Sequence, residues 1–236
     1  HGKGLLTRQH LVGYLPYLKV SEECHHCYAE GIAHHYGHDV WGPAATTPRR
    51  LFGAKHWQEP LLWNRQAEQA GHRRSVFCAS MADVYEDHPA VTGERQRLWD
   101  LIEATPWLNW LLLTKRPEHI LAMSPWSTGN WPDHVWVGTS IGLQHRAEER
   151  LPHLLAVPAV VRFVSCEPLL GPLDLAPWLP GLQWVICGGE SSAQARPMNL
   201  EWARSLRNQC LAAEVPFFFK QVGGRYHTSG GRLLDG

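Results

Sequence analysis

The sequence contains no run of about 18 apolar residues, so it offers no helix able to cross a bilayer and no membrane association is expected. Its first segment, HGKGLLTRQHLVGYLPYLKV, has one short apolar patch and no small-residue cleavage pattern behind a long apolar core, so no secretory signal is expected either. Charge of one sign is also missing. With 22 basic and 22 acidic residues the formal net charge is zero, which excludes a general field attracting phosphates and argues against strong nonspecific nucleic-acid binding. Cysteine is sparse: six in 236 residues, without the density of a disulfide scaffold, fit a reducing compartment and a cytoplasmic location. Aromatic and imidazole rings, by contrast, are abundant. Twelve Trp and fifteen His suit a pocket for a planar ligand, although most Trp residues in any chain fill the core.

The remaining composition, 44% hydrophobic and 19% charged, is that of a globular chain with one large core. Short apolar runs recur with helix-like segments between them: Ser75 to Cys78, Trp110 to Leu113, Val135 to Val137, Val160 to Val164, Trp184 to Cys187 and Phe217 to Phe219. They are nearly continuous rather than alternating, as strands covered on both faces should be, and the spacing is that of repeated β/α units in a parallel sheet. Helices are expected over about 22–36, 57–70, 93–104, 117–123, 143–156 and 199–214. Asn199 caps the last, which Pro216 stops. Residues 39–56 and the Gly-rich tail 223–236 are expected to be loops or mobile segments, and residues 1–222 a single domain.

In parallel β/α folds the C-terminal strand ends converge on the functional rim. Here these ends carry Ser80 and Asp83; Thr114, Lys115 and Arg116; Thr139 and Ser140; Ser165 and Glu167; Gly188, Gly189 and Glu190; and Lys220 and Gln221. Six polar strand ends in series point to a shared site. Gly188 and Gly189 would let a ligand approach the backbone, their N–H groups would hold a carboxylate, and Glu190 would accept from an amino group. Lys115 and Arg116 would neutralise a phosphate or carboxylate. Cys24-His25-His26-Cys27 opens the first expected helix, where i, i+3 spacing puts both thiols on one face, close enough for one metal centre. On residues alone this pair suits an iron–sulfur cluster, a zinc site, a redox dithiol or a structural role. His34 and His38, one helical turn apart, could form a further metal pair, but solvent-facing histidines are the better explanation of them.

The strings KVSEECHHCYAE, FCASMADVYED, LLLTKRPEHI, VRFVSCEPLLGPLDL, WVICGGESSAQARPM and QCLAAEVPFFFKQ resemble phage-associated, radical-SAM-like proteins of unknown function that carry a three-cysteine motif, over about residues 19–222. The resemblance implies a partial (β/α)6 TIM-barrel-like sheet of the radical-SAM type, holding a 4Fe-4S cluster and S-adenosylmethionine. The family pattern is similar to C-x6-C-x2-C. Cys24 and Cys27 match its second and third cysteines as metal ligands, and Tyr17 stands in the place of the first.

On this reading the chain is a radical S-adenosylmethionine enzyme that makes a carbon radical on a small-molecule or nucleotide substrate, including a modified base. Ser80, Asp83, Thr139, Ser140, Gly188, Gly189 and Glu190 would contact the cofactor. Lys115, Arg116, Glu167 and Lys220 would be catalytic or hold a carboxylate. Two rivals remain open: a cluster-free binding protein acting with a phage-encoded partner, and a zinc hydrolase using Cys24, Cys27 and His34 or His38.

Overall fold

The computed structural model describes residues 10–11, 14–15, 19–38, 41, 49–51, 53–79, 81–126, 129–226 and 229–235. Tyr17 and Ser80 lie outside them, as does most of the loop expected over 39–56. In chain order the strands are β1 (His10–Leu11), β2 (Tyr14–Leu15), β3 (Arg50–Leu51), β4 (Arg74–Cys78), β5 (Leu108–Thr114), β6 (Val135–Ser140), β7 (Arg162–Cys166), β8 (Trp184–Gly188) and β9 (Phe217–Gln221). Strands β2 and β3 pair antiparallel, while the other seven form one parallel sheet in the order β1-β4-β5-β6-β7-β8-β9. That sheet curls into a half-barrel, and among the described residues its edge strands β1 and β9 do not pair. The expected partial (β/α) barrel is therefore present.

Helices α1 (Tyr28–His35), α2 (Ala54–Gln69), α3 (Pro89–Glu103), α4 (Ile120–Met123), α5 (Gln144–Leu155) and α6 (Leu200–Ala212) complete the fold. They explain the nearly continuous apolar strands. On one face of the sheet Val76, Trp110, Leu112, Val137, Val164 and Val185 pack with Leu98, Ile102, Leu151, Leu154 and Leu206 in a single large core. On the other face a second, smaller cluster forms around Leu111, Phe163 and Ile186. Alternate residues thus serve two apolar environments.

Helix ends follow local chemistry. Asn199 accepts from the Glu201 N–H at 2.9 Å, the expected N-cap. In α3 the start moves upstream of residue 93, because Pro89 takes a first-turn position and His88 Nδ1 accepts from the Ala90 N–H at 3.1 Å.

Two expectations are corrected. The helix expected over 22–36 is broken: Glu22–Cys24 form a 3₁₀ turn, and Cys27, with ψ 123°, is the extended N-cap residue of α1. The two thiols therefore straddle a helix start instead of riding one face. The strand expected at Val160 begins at Arg162 and runs to Cys166, because the ladder with β6 starts at the Val137–Arg162 pair and Val160, ahead of it, is exposed. Among its described residues the Gly-rich tail is loop, as expected, and it is tied to the domain. Val222 N–H donates to Gly231, Gly224 N–H to Glu190, and Asp235 pairs with Arg204 and Arg207 on α6.

Candidate functional site

Strand register builds a polarity gradient inside the half-barrel. Neighbouring residues in the parallel ladder share a face, so Phe77, Leu111 and Trp136 form one inward row, and Leu113, Gly138, Phe163 and Trp184 the next. Nearer the C-terminal mouth come Ser140 and Ser165, beside Ile186 and Phe218. Gly138 is required by this packing: a Cβ there would sit 2.5 Å from the Phe163 ring. Phe163, itself fully buried, thereby packs over Gly138 and meets Trp184 at a centroid distance of 5.9 Å, with Trp184 to Phe218 at 6.5 Å. Above and beside these rings opens a cavity of about 470 Å³. Its lower wall is Phe77, Leu111, Leu113, Trp184, Ile186 and Phe218, and its mouth carries Cys27, Asp83, Lys115, Ser140, Glu167, Glu190 and Lys220.

The charges at the mouth are arranged in pairs. Glu167 accepts from Ser165 Oγ at 3.0 Å and pairs with the half-exposed Lys220 at 3.0 Å. Lys115 Nζ lies 3.5 Å from Ser140 Oγ. Asp83, only 3% exposed, accepts from Thr114 Oγ1 at 2.7 Å, from the N–H groups of Tyr85 and Lys115 at 3.1 Å each, and from Arg116 Nη1 at 2.9 Å. It fixes the loop after β4 to the end of β5.

A strap of ion pairs pins the cysteine turn over this mouth. Glu190 accepts from Arg196 Nη2 at 2.6 Å, Arg196 Nε at 3.0 Å and the Arg196 N–H at 2.8 Å, and its Oε2 lies 3.1 Å from His26 Nδ1. Arg196 Nη2 also reaches the Glu22 carbonyl at 3.0 Å. Burial pushes the Glu190 carboxyl up, but the bonds from Arg196 and His26 outweigh it and hold the group below its ordinary value. Glu23, buried beneath the turn, accepts from the Gly142 N–H at 2.9 Å and pairs with Arg150 at 3.3 Å. Its carboxyl is likewise held low, burial being overcome chiefly by the Arg150 charge. Cys24 is fully buried, whereas Cys27 lines the cavity. Burial pushes the Cys27 thiol up against the pull of Lys115 and of the Ala29 and Glu30 N–H groups.

The structure brings Cys27, Asp83, Lys115, Ser140, Glu167, Gly189, Glu190 and Lys220 to one cavity. Others of the expected set sit elsewhere. Arg116 is buried against Asp83 instead of on the cavity wall, since a guanidinium so enclosed needs its carboxylate. Thr139 is fully buried and donates to the Thr114 carbonyl at 2.9 Å, which ties β6 to β5. The two glycines serve the chain's own packing: a Cβ on Gly188 would lie 2.7 Å from Glu167 Oε1, and one on Gly189 would lie 1.8 Å from the Val222 carbonyl oxygen. Glu190 bonds Arg196 and His26 and also lines the cavity. The sequence motifs assign no role to His26, Glu23, Arg150 or Arg196. For Arg150 a signal existed, since it falls on the buried stripe of α5 with Ala147, Leu151 and Leu154, where an unpartnered charge would not be stable.

A 4Fe-4S cluster of the implied kind needs three thiolates on one centre. Only Cys24 and Cys27 belong to the turn. Cys78, Cys166, Cys187 and Cys210 are buried in the large core, where desolvation pushes their thiols up, Cys78 to about 12 and Cys210 to about 11. Among the described residues no group of three or more His, Cys, Asp or Glu side chains is placed to hold a metal ion, so neither a three-thiolate cage nor a Cys-Cys-His zinc site is assembled from them. The residue at the first-cysteine position, Tyr17, has a hard phenol of high pKa that is a poor substitute for a thiolate. The donor set does not fit the cluster.

Among the described residues no helix is long and apolar enough to cross a membrane. One family model matches the chain, over residues 16–236, and its description is protein of unknown function, DUF5131. No curated protein and no solved structure gives a significant match.

Proposed function

The chain belongs to the DUF5131 family, and we propose that it is a small-molecule-binding protein with a radical-SAM-like half-barrel, acting without a cluster on an amphiphilic ligand such as a nucleotide or S-adenosylmethionine. The observation that carries this reading is the graded cavity: aromatic and aliphatic side chains below, paired carboxylates, ammonium groups and hydroxyls at the mouth. A planar ring fits against Trp184, Ile186 and Phe218, and a charged head fits between Lys115, Ser140 and the Glu167–Lys220 pair. The resemblance of the motifs to phage-associated proteins supports a role beside a phage-encoded partner.

The test is titration calorimetry of the purified chain with S-adenosylmethionine, adenosine, AMP and methionine. The expected result is binding of at least one ring-bearing ligand, weakened about tenfold or more by Trp184→Ala, the loss expected when a ring contact of roughly 1.4 kcal/mol is removed. Absence of binding by all four ligands would overturn the proposal.

A second reading, the radical S-adenosylmethionine enzyme, is favoured by one observation: Cys27 opens onto the same cavity as Asp83 and Glu190. Anaerobic reconstitution with iron and sulfide separates the two. Cluster-free binding expects no stoichiometric iron in the wild type, whereas the enzyme reading requires about four irons per chain.

A further inference from the structure

We propose that Cys24 and Cys27 are a reversible dithiol–disulfide pair that exchanges with low-molecular-weight disulfides of the glutathione class through the mouth of the cavity. The proposal starts from the mismatch of the donor set with a cluster, which leaves two neighbouring thiols with chemistry of their own. Their environments differ as an exchanging pair requires. Cys27 lines the cavity and is the reachable thiol; Cys24 is fully buried, with Sγ 3.7 Å from Ser21 Oγ. His25 and His26 form the turn between them, and the ends of a four-residue turn lie within about 7 Å, the range in which about 4.4–6.8 Å between Cα atoms permits a disulfide.

The turn is also held still. Glu22 is bound by Arg146 at 3.1 Å, Glu23 by Gly142 and Arg150, and His26 by Glu190, so closing the pair orders little that is not already ordered. The other four cysteines are buried in the core, away from solvent. They offer no competing partner at the mouth.

The exchange balances as follows. The Cys27 thiolate attacks one sulfur of the reagent, breaking its S–S bond and releasing one thiolate, and a mixed disulfide forms. The Cys24 thiolate then attacks the Cys27 sulfur, forming the intramolecular bond and releasing the second reagent thiolate. The protein pair loses two electrons and the reagent gains two; the two protein protons end on the released thiols.

The test uses the intact chain, equilibrated anaerobically in glutathione buffers from fully reduced to fully oxidised, quenched with acid, alkylated and mapped by mass spectrometry. Metal content is measured on the same sample. The expected result is one disulfide, Cys24 to Cys27, that forms and disappears reversibly with the buffer ratio. Cys24→Ser should instead accumulate glutathione on Cys27, and Cys27→Ser should form neither adduct nor disulfide. Six alkylated cysteines at every ratio, a bond between other cysteines, or a stoichiometric metal shielding the pair would each overturn it. Ligand binding by the cavity is a separate measurement, so loss of this proposal leaves the binding reading standing.

Discussion

Replacing Asp83 with alanine removes the acceptor that joins two strand ends at the cavity. The carboxylate is 3% exposed and accepts from Thr114, from the N–H groups of Tyr85 and Lys115, and from the buried Arg116. Breaking a buried pair by deleting one partner costs about 3–5 kcal/mol, because the remaining charge stays desolvated. For a chain of this size that corresponds to a fall in Tm of roughly 6–20 °C, at about 2–4 °C per kcal/mol. Thermal and urea unfolding followed by circular dichroism measure it. The double variant Asp83→Ala/Arg116→Met supplies the control: once the buried guanidinium is gone, its loss should be smaller than the sum of the two single losses by about 1–3 kcal/mol. A loss below about 1 kcal/mol for Asp83→Ala, or strict additivity in the pair, would refute the assignment of Asp83 as the buried counter-charge that fixes the cavity wall.

Gly138→Ala should destabilise by about 1–3 kcal/mol, since the new methyl would meet the Phe163 ring at 2.5 Å, and Gly138→Ala/Phe163→Leu should recover part of the loss by relieving that overlap in denaturant melts. Acid should weaken the strap over the mouth. Glu23 and Glu190 are held below the ordinary carboxylate range, so on acidification the unfolded chain takes up protons first; their stabilisation is complete above about pH 4.5 and is lost as pH falls through the lower folded values. Urea midpoints from pH 7 to 3 should therefore fall less steeply in Glu190→Gln than in the wild type. Alkylation of the reduced native chain should reach Cys27 first, with Cys24 and the four core cysteines reacting on the timescale of unfolding; mass mapping that finds a core cysteine labelled as early would contradict the burial described.

The architecture was legible because parallel strands covered on both faces leave a direct mark: runs such as Trp110 to Leu113 are apolar at every position and recur with helices between them. Several rim residues could be located for the same reason: Lys115, Ser140, Glu167 and Lys220 follow such runs and reach the mouth, whereas Arg116 and Thr139 follow them and do not. What these residues do there was less legible. Asp83 and Arg116, or Glu190 and Arg196, are partners across 33 and 6 positions, and nothing local announces that each satisfies the other. The glycine pair at 188 and 189 misleads in the same way, because close approach by a ligand and close approach by Val222 or Glu167 require the same missing side chain. The break in the first expected helix comes from tertiary anchors on Glu22 and Glu23, whose partners lie more than 100 positions away.

That break bears on what the cysteine turn does. Had Cys24 and Cys27 shared one helical face, both thiols would have had equal access to the mouth, and a symmetric role as two metal ligands would have been the simpler outcome. The 3₁₀ turn instead buries one sulfur and leaves the other at the N-cap of α1, an asymmetry that suits attack at one sulfur and resolution by its neighbour. Glu23 is the residue that enforces it. Its carboxylate bonds the Gly142 N–H in the β6–α5 connection and Arg150 on α5, and so holds the Glu22–Cys24 turn inward with Cys24 covered. Glu23→Gln keeps the shape but weakens the hold on Arg150, and should raise the alkylation rate of Cys24 relative to that of Cys27. An unchanged ratio of the two rates would mean that the burial of Cys24 has another origin.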